Sequence, residues 1–466
     1  MELATWIDER SRARRDVVCQ TIEKGSHKFV LYYLSNAVDL KMLQTCVLQP
    51  LIESRHSDES HWIENMFSRN AFFPTPNSVT QTAEDALNGL LGGQTLLCVS
   101  GQSCGILFPF SDPAARPVGT AENEKTIRGP KEAFVENIWT NLSLIRQRVK
   151  SDKLVIEERT LGTESRTLVM LLYMEDNCNP ELVHNVNEKL NSLKNDYRLQ
   201  GSNYIEEHLD RQFSPFPVIM NTERPDAAAA ALFEGRVVIL VEGTPNQLIA
   251  PATLLSFMQS AEDYYQSYFF TSWVRMMRYV FFFVSLILPS AYVAITTFHP
   301  EMVPFSLLVS IAASRDVVPF PALVEALIME VAFEVMREAG QRIPSTIGQT
   351  ISIVGAIVLG QAAVQAGIVS APMVIIVAFT GISSFMSPHF SLTLAVRFLR
   401  FALLIISAAF GLLGLLIGVF ILFIHLMTLQ SFGTPYLSPF IPYKKGQMKD
   451  ALGRSPWPKL AGKQRS

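Results

Sequence analysis

The chain is poor in the residues that carry most enzyme and metal chemistry. Its five cysteines, Cys19, Cys46, Cys98, Cys104 and Cys178, form no Cys-x-x-Cys or Cys/His ligand spacing, which excludes a zinc module. They read as reduced thiols of a cytosolic domain, with a Cys98–Cys104 bridge across a hairpin as the lesser alternative. His27, His56, His61, His184 and His208 are equally isolated. No Gly-x-x-x-x-Gly-Lys-Ser/Thr follows a strand, so Glu242-Gly243-Thr244-Pro245 reads as a hairpin turn and not a phosphate loop. No basic stripe with interleaved aromatics is present, which argues against nucleic acid as a partner. Met1 to Asp16 has arginines without an apolar run behind them, so it does not read as a secretory signal. With no nucleophile, base, metal set or cofactor motif in view, the expected role is recognition, assembly or transport, not catalysis.

Charge is also scarce, but only in one half. Residues 1–270 hold 25 Lys/Arg and 35 Asp/Glu, whereas residues 271–466 hold 14 and 7. Between Tyr279 and Tyr443 eleven residues are charged, too few for an ordinary soluble surface. Two solvents for one chain are implied: an acidic soluble front and a membrane-embedded back.

The front half reads as duplicated. Gly93, Gly101 and Pro109 map onto Gly235, Gly243 and Pro251 at a constant offset of 142, each set framing an apolar strand, a Gly-centred turn and a second strand. Upstream, Phe29–Tyr33 and Leu168–Tyr173 repeat a buried-strand pattern at an offset of about 140, each followed by a helix, from about Asp39 and from Pro180. The expected architecture is α/β, with two similar subdomains at 1–115 and 131–270 and a linker at 116–130. An all-α polytopic membrane domain follows at 271–440, then a basic tail at 441–466.

In the membrane half, apolar runs at Met277–Phe298, Ile347–Val369, Met373–Ser387 and Phe398–Leu429 are the expected spans. Pro289 falls inside the first and is expected to kink it. Arg275 and Arg278 at its start, and the tail's lysines and arginines, put both ends on the cytoplasmic side. An even number of crossings then requires the segment 317–338 to be re-entrant or interfacial, and it leaves Arg397 and Arg400 awkwardly on the outer side.

That segment carries the sharpest physical signal. Glu330, Glu334 and Glu338 share a helix face by i,i+4 spacing, with Glu325 five residues before the first of them. A carboxylate at bilayer depth costs about 2.5–3.5 kcal/mol even on lenient scales, so these groups should avoid lipid. Either they touch headgroups from an interfacial helix, with Arg337 and Arg342 neutralising the last of them, or Glu325, Glu330 and Glu334 ring an oligomer axis and attract cations. Gly355, Gly360 and Gln361 in the next helix read as close packing with buried amides, and Gly411, Gly414 and Gly418 read likewise.

Several strings resemble a known family. Thr222-Glu-Arg-Pro-Asp226, Glu234-Gly-Arg236, Gly243-Thr-Pro245, Pro289-Ser-x-Tyr292, Pro319-Phe-Pro321, Glu325 to Glu330, Arg337-Glu-Ala-Gly340, Arg342-Ile-Pro344, Ser352 to Gly355, Gly360 to Val364 and Ser431-Phe-Gly-x-Pro-Tyr436 are similar, in order, to the signature of the spore germination receptor A-subunit (GerA) family. The stretch before about residue 200 is looser, and Ser35 to Asp39 departs from the glycine-bearing version of the motif. A nutrient-receptor A subunit and its paralogue encoded with dipicolinate-channel genes both fit. The resemblance implies a multi-pass protein of the inner spore membrane that oligomerises as a nutrient-gated cation channel. It also implies a transporter-like B subunit and a lipoprotein C subunit as partners. A non-conducting scaffold and a stand-alone secondary transporter are the alternatives, although residues 277–429 show no inverted repeat.

Overall fold

The computed structural model describes residues 3–11, 16–25, 27–35, 38–53, 66–67, 73–75, 77–110, 119–121, 123–196, 201–210, 213–342, 358–443, 447–456 and 458. The chain divides into an α/β unit, Met1–Arg211 with Ile219–Pro251, and a helical unit, Gln212–Val218 with Ala252–Ser466.

The α/β unit is a duplication in three dimensions. Its first sheet runs β1 (Val17–Lys24), β2 (His27–Leu34), β4 (Thr95–Val99), β5 (Gly105–Phe108), β3 (Ser78–Thr80); its second runs β6 (Leu154–Leu161), β7 (Thr167–Met174), β9 (Val237–Val241), β10 (Gln247–Ala250), β8 (Met220–Thr222). The two orders match, and all pairings are antiparallel. The offset of 142 extends beyond the hairpins to β3 and β8 (220 − 78) and to the helices Ala83–Leu91 and Pro225–Phe233. Register follows suit: Phe29 faces Val99 as Val169 faces Val241.

Local chemistry explains the boundaries. Thr82 caps its helix by accepting from the Asp85 N–H, and Asn179 caps Pro180–Ser192 with Pro180 in the first turn, as its sequence position predicts. Asp39 likewise caps the helix that begins at Leu40. Gly235 and Gly243 sit at φ 78° and 81°, the left-handed backbone these turns require. Alternate residues of β2 and β4 feed two cores: Phe29, Leu31, Leu97 and Val99 one, Val30, Tyr32, Leu96 and Cys98 the other. A sheet covered on both faces explains why these strands read as continuous apolar runs. Leu3 and Ile7 of the helix Leu3–Ser11 join the second core, and the five cysteines are free thiols.

Two polar devices hold the α/β unit together. Arg146 reaches Asp16 of the first subdomain at 2.6 Å with both side chains buried. Arg224, also buried, donates to Asp226, to Thr126 Oγ1 and to the carbonyls of Glu124 and Pro130, tying the linker to the second sheet. The Glu124 carboxylate accepts there from Thr222 and from the Glu223 N–H. Burial pushes the Glu124 carboxyl up to about 7, although those hydrogen bonds and Arg224 favour its charge. A carboxyl harder to ionise when folded contributes most below its unfolded pKa of 4.5, and loses that contribution as pH rises through 7. Glu124→Gln is therefore expected to flatten the fall of the unfolding midpoint between about pH 4.5 and 7; an unchanged slope would assign that fall to another group.

In the helical unit, Tyr268–Phe298 and Phe390–Thr428 are long and apolar enough to cross a membrane, and Phe305–Arg315 and Ala371–Ser384 are shorter apolar helices. Of the expected spans, Met277–Phe298 lies within the first long helix and Phe398–Leu429 almost wholly within the last. Ile347–Val369 falls largely outside the described residues, which show helix at 358–365. Gly355 is outside them too. Gly360 is buried against Val374, but Gln361 and Gln365 are exposed, so the amides expected to be buried are on the outer face. The first long helix continues through the buried Pro289.

The 39-residue helix Phe390–Thr428 is a hairpin. Gly411 has φ 62° and ψ −147°, a conformation outside the helix and open chiefly to glycine. A Cβ on Gly418 would stand 2.6 Å from the Leu403 side chain, and one on Gly414 2.6 Å from the Ile406 carbonyl oxygen. In a straight helix, residues 403 and 418 would be about 22 Å apart. Ring contacts at the open end agree: His389 meets Phe257 at 5.8 Å, Phe257 meets Tyr436 at 6.4 Å, Tyr436 meets Phe216 at 6.3 Å and Phe216 meets His425 at 6.2 Å. Gly411, read as a simple packing position, thus reverses the chain, while Gly414 and Gly418 permit the close packing of the two arms.

The unit begins earlier and ends later than the sequence suggests. Arg275 is fully buried and bonds both Asp263 and Asp450, Arg278 bonds Asp263, and Tyr264 donates to Asp450. Arg454 reaches the Asp263 and Gln266 carbonyls. Residues 252–267 and the described tail residues around 450–454 therefore belong with the start of the first long helix. The two arginines expected as free topogenic charges are each paired with a carboxylate.

Candidate functional site

The helix Ala322–Arg342 follows Pro321 directly and carries Glu325 in its first turn, where a helix dipole favours negative charge. Glu325 meets a helix N-terminus, whereas Glu330 and Glu334 meet arginines. Glu325, fully buried, accepts from the Ser370 N–H at 2.5 Å and from the Ser370 hydroxyl. Ser370 is the N-cap of Ala371–Ser384, so this carboxylate sits at that helix's positive end, with Arg315 Nε at 3.9 Å.

Glu330 is paired with Arg400 at 3.0 Å, both side chains 1 % exposed. One turn on, Glu334 meets Arg397 at 3.0 Å, Arg337 at 3.6 Å and Arg400 at 3.9 Å. Glu330 and Glu334 are four apart on one helix, and Arg397 and Arg400 are three apart on the first arm of the hairpin. The two faces run antiparallel and form a ladder of ion pairs between them. Arg397 and Arg400, expected to be stranded on an outer surface, are instead its inner rungs, because a guanidinium leaves water only for a paired carboxylate. Glu338 pairs with Arg342 as the spacing suggests, but at the surface, where such a pair contributes little.

Arg337 is held differently. Its guanidinium lies over Phe333 at 4.7 Å and Phe385 at 5.2 Å, with Nη2 3.4 Å from Ser384 Oγ. Gly381 makes this possible: a Cβ there would come within 2.3 Å of the Phe333 ring. Beside it, Ser285, Ser383, Ser384, Ser387 and Thr393 line a cavity of about 10 Å³ with Phe282 and Val396. All five hydroxyls donate to backbone carbonyls, which leaves acceptor lone pairs for a guest of about one water's size.

Glu325, Glu330, Glu334 and Arg337 are thus brought into one interior seam, while Arg342 is at the surface and Pro289 lies in the first long helix. Sequence reasoning missed Ser370, Gly381, Arg397 and Arg400 as parts of the seam. The signal available was the i,i+3 arginine pair inside an otherwise apolar run, which demands buried partners. Among the described residues no cluster of His, Cys, Asp and Glu could hold a metal ion.

The family model described as Bacillus/Clostridium GerA spore germination protein matches residues 5–466. The chain is 41 % identical over 447 residues to spore germination protein KA of Bacillus subtilis (strain 168), covering 95 % of this chain and 82 % of that one. It is 38 % identical over 430 residues to spore germination protein B1 of the same organism, covering 92 % and 88 %. It is 45 % identical over 369 residues to the uncharacterized membrane protein YfkQ, also of that organism, covering 79 % and 72 %. Among solved structures, the N-terminal domain of the A subunit of the Bacillus megaterium spore germinant receptor GerK3 is 28 % identical, with TM-score 0.40, covering 54 % of this chain and 94 % of that one.

Proposed function

This chain belongs to the Bacillus/Clostridium GerA spore germination family, and from that membership we propose that it is a non-enzymatic A-type subunit of a spore germinant receptor, acting as a gated cation channel in the inner spore membrane. The observation that carries the channel part of the reading is the interior ladder. Ionisable groups buried among apolar helices are costly, and in membrane proteins they mark ion paths or the elements that gate them.

In the conformation described, Glu325 and Glu330 face partners of their own chain. The reading is therefore of a closed state, whose opening parts the glutamate helix from the hairpin. Copies of this chain assemble around the path, and a transporter-like B subunit and a lipoprotein C subunit supply the stimulus. A germinant can drive that change only by binding the open arrangement more tightly than the closed one. The α/β unit and the tail share the cytoplasmic side. Two features support the tail's being on the side where the first long helix starts: the bonds of Asp450 to that start, and the return of the hairpin to its own starting side.

A scaffold that never conducts is the second reading, favoured by the fact that each buried glutamate has a partner within the chain. Monovalent-cation flux through proteoliposomes decides between them. Wild type is compared with Glu330→Gln/Arg400→Gln, which removes one charge of each sign and preserves net charge. Cation flux with germinant and partner subunits present, altered in rate or selectivity by the paired change, is the expected result. Silence of both proteins under those conditions leaves the scaffold.

A further inference from the structure

The ladder does not balance. Arg337, Arg397 and Arg400 bring three guanidinium groups to the two carboxylates of Glu330 and Glu334, and their side chains are 8 %, 12 % and 1 % exposed. Other acids of the helices are engaged elsewhere or exposed: Glu325 with Ser370 and Arg315, Glu338 with Arg342, Asp316 at the surface. Residues 343–357 contain no Asp or Glu that could supply the missing charge. Arginine keeps its proton in proteins, so the surplus cannot be discharged. Phe333, Phe385 and the C-terminal end of Ala371–Ser384 solvate Arg337, but none of them carries a formal negative charge. Hydrogen bonding does not balance either: Arg337 Nε, Arg400 Nε and Arg400 Nη2 have no hydrogen-bond acceptor, against two unbonded carboxylate oxygens, Glu330 Oε2 and Glu334 Oε1, which leaves donors in excess. A buried N–H without an acceptor and a buried charge without a partner are both costly, and here they coincide.

We propose that this cluster binds one small monovalent anion of the chloride class against Arg337 and Arg400, making three negative charges for three positive. One charge in surplus sets the valence. The Phe333 and Phe385 rings make the wall beside Arg337 apolar, and N–H donors in such a wall suit a small halide better than a strongly hydrated oxyanion. The inference rests on the helical half lying in an apolar surrounding, not on conduction. The hydroxyl-lined cavity nearby presents acceptors and is not the anion's seat.

The test uses the full-length chain in detergent at fixed ionic strength, with thermal unfolding followed in sodium chloride and in sodium gluconate. Chloride is expected to raise the midpoint saturably, by roughly 3–8 °C over gluconate. Ser384→Asp sets a carboxylate beside Arg337, and Arg337→Met deletes the surplus charge; either is expected to abolish the chloride dependence. If one variant does not fold, the other decides. Equal midpoints in chloride and gluconate for wild type overturn the proposal, and so does chloride dependence that survives in a folded variant. A failed flux experiment leaves this measurement unaffected, and the reverse also holds.

Discussion

Arg400→Leu is expected to destabilise the helical unit by about 3–5 kcal/mol, because it takes the ion-pair partner from the buried Glu330 carboxylate, while Arg337 and Arg397 stay engaged with Glu334. Glu330 and Arg400 are each 1 % exposed and 3.0 Å apart. Desolvating both is expensive, and their attraction does little more than offset that. The double change Glu330→Leu/Arg400→Leu is therefore expected to sit within about 1 kcal/mol of wild type, or above it. Denaturant titration of the purified protein in detergent, for both single variants and the double, gives the coupling energy directly. A cost below about 1 kcal/mol for Arg400→Leu would mean that Glu330 keeps access to water or that the surplus Arg337 takes over the pairing; adding Arg337→Met to Arg400→Leu separates the two.

The same pair shows what could be read from the chain and what could not. The glutamates of Ala322–Arg342 were legible because helical spacing is local: Glu330 and Glu334 share a face whatever surrounds them. Their partners were not, since Arg400 and Arg397 lie 70 and 63 residues away along the chain. The i,i+3 arginine pair in an apolar run signals that partners are needed, but nothing in the local pattern says which carboxylates they are. The same limit applied to Ser370, which meets Glu325 from 45 residues away along the chain.

The α/β unit was more legible because it repeats. A spacing of 142 between glycine-framed hairpins foretold the second sheet from the first. The outer strands Ser78–Thr80 and Met220–Thr222 escaped notice, since three residues are too few to show alternation. They were nonetheless fixed by the same spacing. The tail misled for a different reason: seven lysines and arginines after Tyr443 look solvated, yet Ala451 and Arg454 are buried against the first long helix.

A thiol cross-link between Leu403→Cys and Gly418→Cys is expected to form in high yield within single chains, in a background lacking the native cysteines. The two positions touch only because the chain reverses at Gly411, with the Gly418 Cβ position 2.6 Å from Leu403 Cδ2. One uninterrupted helix would hold them about 22 Å apart, beyond any short linker. The reversal depends on one residue. Gly411 combines φ 62° with ψ −147°, and a Cβ there would stand 3.0 Å from Phe298 Cβ and from His299 Cε1. Gly411→Ala is thus expected to cost about 1–3 kcal/mol in backbone strain alone, and to cut the cross-linking yield several-fold. The consequence reaches the topology. A straight helix of this length crosses a membrane once and separates its ends, whereas a hairpin returns the chain to the side it left. Only the second keeps Asp450 within reach of Arg275, at 3.1 Å, so an absent cross-link would also make that bond untenable.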